Sequence, residues 1–350
     1  MLTPELHVDL DRLAQNFELF QKATFGEVSA VVKSNAYGLG LESVASRLIE
    51  CGCQSMFVTS LEEAVCLRKF FDGDLYLFST FHDHASFQEI VDLKVIPILH
   101  SNELVKLWKP FAKHPCGLAF NTGMNRLGLT LEKINPHDLL RKLNIRLVMT
   151  HLACADEPDH TLNQVQLDQF DEVTKEFVGI RSSIGNSAGT LTGLKTQGDL
   201  TRPGIGLYGG NPFSHLINPT QVVAQCQVPL MSTYGVKKGE TIGYGATYTA
   251  ESSLVIGVVS MGYADGIPRH AGENLSLVFE DQRFPIVGRV SMELVTIDLS
   301  SYPTLKPGNF FEYFGRNQHV DTIAKQANTI SYEVFTGIGP RVKRIYYPST

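Results

Sequence analysis

Lys33 ends an apolar run, VSAVVK at residues 28–33, and a turn rich in Asn, Gly and Tyr follows at once, SNAYGLG. An ammonium group at the mouth of a buried strand is desolvated, and desolvation lowers the pKa of a lysine. The free amine condenses with an aldehyde to form a Schiff base. Four more polar groups follow apolar runs in the same way: residues 121–126, His151, Asn186 with Ser187, and residues 202–205. A phosphorylated aldehyde suits this set, and pyridoxal phosphate is the one that fits. Ser187 and the Gly204–Ile205 turn offer a hydroxyl and backbone N–H donors to a phosphate, while Arg202 offers a cation to the ring nitrogen. Taken singly, a strand-end lysine usually just reaches water and a lone histidine is usually a satisfied core group. The convergence of these groups on one face is what favours a site.

That convergence depends on the elements beneath. Eight short β-branched or apolar runs lie at residues 28–33, 55–59, 74–79, 95–99, 116–121, 145–150, 180–185 and 200–205. Between them lie amphipathic stretches such as LEEAVCLRKFF, SFQEIVDLK, NELVKLWKPF and LNQVQLDQFDEVTKEF, whose apolar residues return every three or four positions. Eight strand–helix units of this length predict an N-terminal (β/α)₈ TIM-type barrel, whose chemistry sits at the carboxyl ends of its strands. No G-x-G-x-x-G follows the first strand, which weighs against a dinucleotide fold. After about residue 220 the pattern becomes strand-like runs separated by Gly, Pro and Asp-Gly turns, with one helical candidate at VDTIAKQAN. The expectation is a barrel over residues 1–220, a mostly antiparallel β domain over 221–350, and a boundary within 210–220.

Composition narrows the function. The 350 residues are 43% apolar, and 30 basic against 36 acidic residues give a net charge of −6. This offers no basic field for nucleic acid and no polybasic patch for lipid, so small-molecule chemistry is expected. The amino terminus shows neither a signal peptide nor a transmembrane run, and a cytoplasmic location is expected. Six scattered cysteines, with only Cys51 and Cys53 close together, lack the paired spacing of a zinc site, so no metal is expected. His82 and His84 are read as part of an exposed loop.

The same residues carry a family resemblance. VVKSNAYGLG resembles the cofactor-lysine motif of bacterial alanine racemases, and the similarity continues through NTGMNRLG (121–128), THLACADE (150–157), GNSAGT (185–190), RPGIGLYG (202–209), GYGATY (243–248), GYADGIPR (262–269), GRVSME (288–293) and SYEVFTGIGPRV (331–342). The family is a barrel followed by a β domain, acting as a homodimer whose site borrows residues from the partner. The resemblance implies that Lys33 carries pyridoxal phosphate and is the base on the D side, and that Tyr263 from the other subunit is the base on the L side. Tyr37, Ser187, Gly204, Ile205 and Tyr332 would contact the phosphate, and Arg202 would face the ring nitrogen. Arg126 and the backbone of Met292 would hold the substrate carboxylate, with His151 linking Tyr263 to Arg202. The activity implied is interconversion of L-alanine and D-alanine, supplying D-alanine for peptidoglycan.

Racemisation removes a proton from one face of the α-carbon and returns one to the other, so two acid–base groups are needed on opposite sides. Lysine and tyrosine have ordinary pKa values of about 10.4 and 10, so each must be lowered by burial and positive charge. Three departures from the family stand out. Where many members carry a carbamylated lysine that orients the substrate-binding arginine, this chain has Ala119, and the nearby aspartate is Asn121. Asn121 itself or a bound anion would then hold Arg126. The usual aspartate after the substrate-contacting methionine is Glu293. Alternatives are a racemase of broader specificity and a pyridoxal-phosphate decarboxylase of the same architecture, which would place an acid where Arg202 stands. A non-catalytic cofactor carrier would lack the β domain.

Overall fold

The computed structural model describes residues 2–78, 84–193 and 198–348. His82 and the side chain of His84 lie outside the described residues. Seven parallel strands form one sheet in chain order: Ala30–Val31, Ser55–Val58, Asp74–Leu77, Ile96–Leu99, Pro115–Ala119, Asn144–Met149 and Arg181–Ser183. The eighth run closes the ring. Leu200–Thr201 pairs in parallel with Glu27–Val28, Ser29 and Val31 donate their N–H groups to the carbonyls of Thr201 and Pro203 at 3.0 Å, and Arg202 donates to Gly185 at 2.7 Å. Strands such as Ser55–Val58 are buried along their whole length, as expected of a parallel sheet covered on both faces.

The first and last strands are shorter than the sequence predicts. The first is divided at Ser29 into one part that pairs with the last strand and one that pairs with the second. The last stops at Thr201, before Pro203, which has no N–H to give. The helices fall where the periodicity places them, including Leu61–Leu67 and Thr161–Glu176. Ser60 and Glu63 close a reciprocal capping box on the former, each side chain accepting from the other's backbone N–H.

Beyond the barrel, the long strand Ala224–Val236 is the hub of a mostly antiparallel sheet, pairing with Phe310–Phe314 and Leu254–Val259. It also pairs with Glu5–Asp9, whose other edge takes Lys343–Tyr347 in parallel. The first strand of the chain therefore lies in the sheet of the C-terminal region, although sequence pattern groups it with the barrel. The expected helix is Val320–Gln326. A second, Ser331–Thr336, carries Tyr332. No sequence pattern marks it, because SYEVFT mixes β-branched and aromatic residues of modest helix propensity. A single apolar cluster runs from Leu6 through the barrel to Val342, so the C-terminal strand and helix pack directly on the barrel.

Candidate active site

The turn after Lys33 has a rare backbone. Ser34, Asn35, Ala36 and Tyr37 have φ of 55°, 56°, 51° and 55°, four consecutive left-handed residues without a glycine. Each costs roughly 1–2 kcal/mol against the right-handed form, so the surroundings must hold the turn. Glu63 accepts the Asn35 N–H at 3.0 Å, and the Asn35 side chain accepts the Leu41 N–H at 2.8 Å. Gly38 and Gly40 close the turn where there is no room for a side chain: a Cβ on the first would run into the carbonyl of Phe335, and on the second into the side-chain hydroxyl of Tyr346. The Asn, Gly and Tyr of this stretch are thus explained by a left-handed turn that aims Lys33 into the barrel mouth.

There Lys33 meets a cavity of about 480 Å³. Tyr37, Arg126, His151, Ser187, Arg202, Gly204, Ile205 and Tyr332 also line it, so nine of the eleven expected site residues come together. The Lys33 amine is held below its usual pKa, first by burial and then by the charge of Arg126, with Glu63 opposing. Arg202 is buried, and its guanidinium donates to the Ser183 hydroxyl and to the Thr150 carbonyl at 2.6 Å. Burial lowers its pKa, but a guanidinium keeps its charge. No carboxylate pairs with it among the described residues. His151 is pushed down to about 3 by burial and by Arg202, Arg126 and Lys33, and so it is neutral at pH 7.

The cavity is also rich in donors. The Ser187 hydroxyl accepts the N–H groups of Gly204 and Gly206 at 2.9 and 3.2 Å. Tyr37 lies between Tyr208 and Tyr332, with ring centroids at 4.7 and 5.9 Å. Burial raises the Tyr37 phenol and lifts that of Tyr332 to about 12, so both stay protonated donors. Neutral hydroxyls and N–H groups, with an amine and two guanidinium groups in the same cavity, fit a phosphate-bearing aldehyde together with a carboxylate.

Arg126 makes no hydrogen bond or ion pair with a described residue. Asn121 does not reach it. Its side chain accepts from Gly123 and Asn125 N–H and donates to the Asn125 side chain at 3.0 Å, which shapes the loop that carries Arg126. Ala119 lines the cavity. The His151 ring likewise makes no hydrogen bond with Arg202.

Tyr263 and Met292 stand apart from this cavity, 42% and 55% exposed on the C-terminal region. They are neighbours of each other. Tyr263 N–H donates to Ser291 at 3.0 Å and Ala264 N–H to Met292 at 2.9 Å, and Gly262 has no room for a Cβ against those two carbonyls. Buried Asp265 fixes the turn by accepting from Gly262 N–H at 3.0 Å and from Arg341 at 3.1 Å. Arg341 also pairs with Glu293 at 2.5 Å. Sequence reasoning missed Glu63, Asp265, Arg341 and Arg344. Glu63 left a signal as the fourth residue of the Ser60 capping box and Asp265 as part of an Asp-Gly turn, whereas Arg344 left none.

A lysine at a barrel mouth, ringed by cations and hydrogen-bond donors, defines a barrel enzyme built for an aldehyde cofactor and an anionic substrate. Residues 8–212 match the family described as alanine racemase, N-terminal domain, and residues 223–346 match alanine racemase, C-terminal domain. An alanine racemase of Rhodospirillum rubrum is 38% identical over 98% of this chain and 96% of its own. Among solved structures, alanine racemase from Bartonella henselae with covalently bound pyridoxal phosphate superposes with a TM-score of 0.93, at 28% identity, over 99% of this chain and 100% of that one. Biosynthetic alanine racemase from Pseudomonas aeruginosa gives 0.93 at 30% identity, over 99% of each. The chain belongs to the alanine racemase family.

Proposed function

We propose that the protein interconverts L-alanine and D-alanine with pyridoxal phosphate held on Lys33. One observation carries the reading: a desolvated lysine shares one cavity with Arg126 and buried Arg202, neither of which meets a carboxylate among the described residues. When bound, the cofactor withdraws electrons from the α-carbon of the amino acid, which makes its proton removable. Tyr37, Tyr332, Ser187 and the N–H groups of Gly204 and Ile205 would hold its phosphate, and Arg202 would meet its ring nitrogen. Arginine there cannot surrender its proton, so it would leave the ring largely unprotonated and would steer the substrate away from transamination.

Lys33 Nζ takes or returns the α-proton on the D side, and the Tyr263 hydroxyl does so on the L side. Arg126 and the Met292 backbone fix the substrate carboxylate. Since Tyr263 and Met292 sit on an exposed turn outside their own chain's cavity, the complete site forms in a homodimer, each chain presenting that turn to the other. Neutral His151 shares the cavity with Arg202 without a bond to it in the single chain, and it would link Tyr263 to Arg202 only once the dimer brings the partner's turn to the cavity. Residues 1–220 form the cofactor-binding unit and residues 221–350 the unit that presents the turn, with the strand Glu5–Asp9 tying the two together. Six free thiols suit the cytoplasm, and the D-alanine formed serves peptidoglycan. Among the described residues no helix is long and apolar enough to cross a membrane.

The test is proton NMR of the protein with pyridoxal phosphate and L-alanine in deuterated water, with chiral analysis alongside. Loss of the α-hydrogen signal with D-alanine appearing supports the reading. Loss without D-alanine means that only one base works, and no loss defeats the proposal. Growth of a D-alanine-requiring bacterium on expression of this chain tests the biosynthetic role.

A further inference from the structure

We propose that Arg344, in the last strand of the chain, is a positioning residue for Lys33. This rests on the reading of Lys33 as the reacting amine. The Arg344 guanidinium makes five hydrogen bonds to described residues, all to backbone carbonyls. Its Nε and Nη2 donate to Gly38 at 3.2 and 2.9 Å, Nη2 to Ile338 at 2.7 Å, and Nη1 to Gly339 and Val342 at 2.5 and 2.8 Å. Gly38 ends the left-handed turn that begins at Lys33. Ile338 and Gly339 follow the helix Ser331–Thr336, which carries Tyr332. A single side chain therefore joins the lysine turn to the tyrosine helix.

The turn needs such a clamp because four left-handed residues in sequence are stable only when their surroundings over-determine them. Glu63 holds one edge through the Asn35 N–H. Arg344 holds the other, and Tyr346, two residues further along the same strand, donates its hydroxyl to the Leu39 carbonyl at 3.0 Å. Only a guanidinium spans these carbonyls, since its planar fork carries five N–H donors where lysine offers three from one nitrogen. If the clamp is lost, the turn relaxes toward ordinary backbone angles and carries Lys33 off its aim. The far end of the C-terminal region is thereby coupled to an amine on the first barrel strand.

The experiment is amide hydrogen exchange on the cofactor-free protein, comparing wild type with Arg344→Lys and Tyr346→Phe. Gly38 and Gly40 N–H donate to Ser34 and Asn35 within the turn, so they report on it directly. In Arg344→Lys, exchange over residues 34–40 rises by about tenfold or more, as expected from losing bonds to a charged donor. Exchange over residues 144–149 stays unchanged. The pyridoxal phosphate concentration needed for half-saturation rises with it, and Tyr346→Phe, which keeps the guanidinium, shifts both in the same direction by less. The proposal is overturned if both variants keep wild-type exchange over 34–40, or if exchange rises equally throughout the chain. A wild-type protein that fails to attach pyridoxal phosphate to Lys33, read by mass after borohydride reduction, would defeat the functional reading while leaving the exchange result intact.

Discussion

The hydroxyl of Tyr37 fills the space that a Cβ would occupy on Gly204. The left-handed turn after Lys33 and the backbone after the last barrel strand therefore share one cradle, which carries the groups proposed to hold the phosphate. Gly204→Ala must displace the Tyr37 ring, which is wedged between Tyr208 and Tyr332. The expected outcome is a rise of about tenfold in the pyridoxal phosphate concentration for half-saturation, since one good hydrogen bond and some packing are lost. The far-ultraviolet dichroism should be unaltered. Made in a Tyr37→Phe background, where the hydroxyl is absent, the same change should cost less. Equal costs in both backgrounds would show that the two residues do not compete for that space.

Lys33→Ala should abolish both the visible band of the lysine-bound cofactor and exchange of the α-hydrogen of alanine. Tyr263→Phe should keep the band, because Tyr263 lies outside the cavity that holds Lys33, yet slow exchange starting from L-alanine by about a hundredfold or more. A borohydride-reducible adduct in Lys33→Ala, or full activity in Tyr263→Phe, would remove the corresponding base from the mechanism.

Much of this site was readable because barrel topology does the assembly. Once eight strand–helix units are recognised, residues separated by up to 170 positions, such as Lys33 and Arg202, must meet at the strand ends. What escaped the sequence is support from residues without local pattern. Arg344 meets Gly38 across more than 300 positions, and neither hydropathy nor spacing announces that contact. Likewise Asn121, expected as a candidate holder of Arg126, bonds to its own loop, because a side chain that short satisfies nearby N–H groups first. The helix under Tyr332 was hidden by its β-branched residues, whose weak propensity is overridden by packing against the barrel.

The turn that presents Tyr263 separates a buried from an exposed use of charge. Asp265 is buried and bonds to the Gly262 N–H and to Arg341, whereas Glu293 meets Arg341 at the surface. Asp265→Ala leaves a buried N–H without its acceptor and should destabilise the fold by about 1.5–3 kcal/mol. Glu293→Gln should leave the urea midpoint unchanged, because an exposed pair contributes little. A Glu293→Gln midpoint as low as that of Asp265→Ala would mean that the surface pair, and not the buried carboxylate, secures the turn.

The pH dependence of the Lys33 amine tests the electrostatics of the site without cofactor or substrate. Burial and Arg126 both disfavour the ammonium form, so the folded protein releases this proton below the ordinary lysine value of 10.5, while Glu63 works against that shift. Since the free amine is the nucleophile, its rate of acylation by a small reagent should rise with pH, with a half-point below 10.5. Arg126→Gln removes a cation and should move the half-point up. Glu63→Gln removes an anion while keeping an oxygen for the Asn35 N–H, and should move it down. Burial is the larger cause, so Arg126→Gln alone should not restore 10.5. The measurement is mass-resolved labelling of Lys33 against pH, and a half-point that falls in Arg126→Gln would reverse the assigned sign of that interaction.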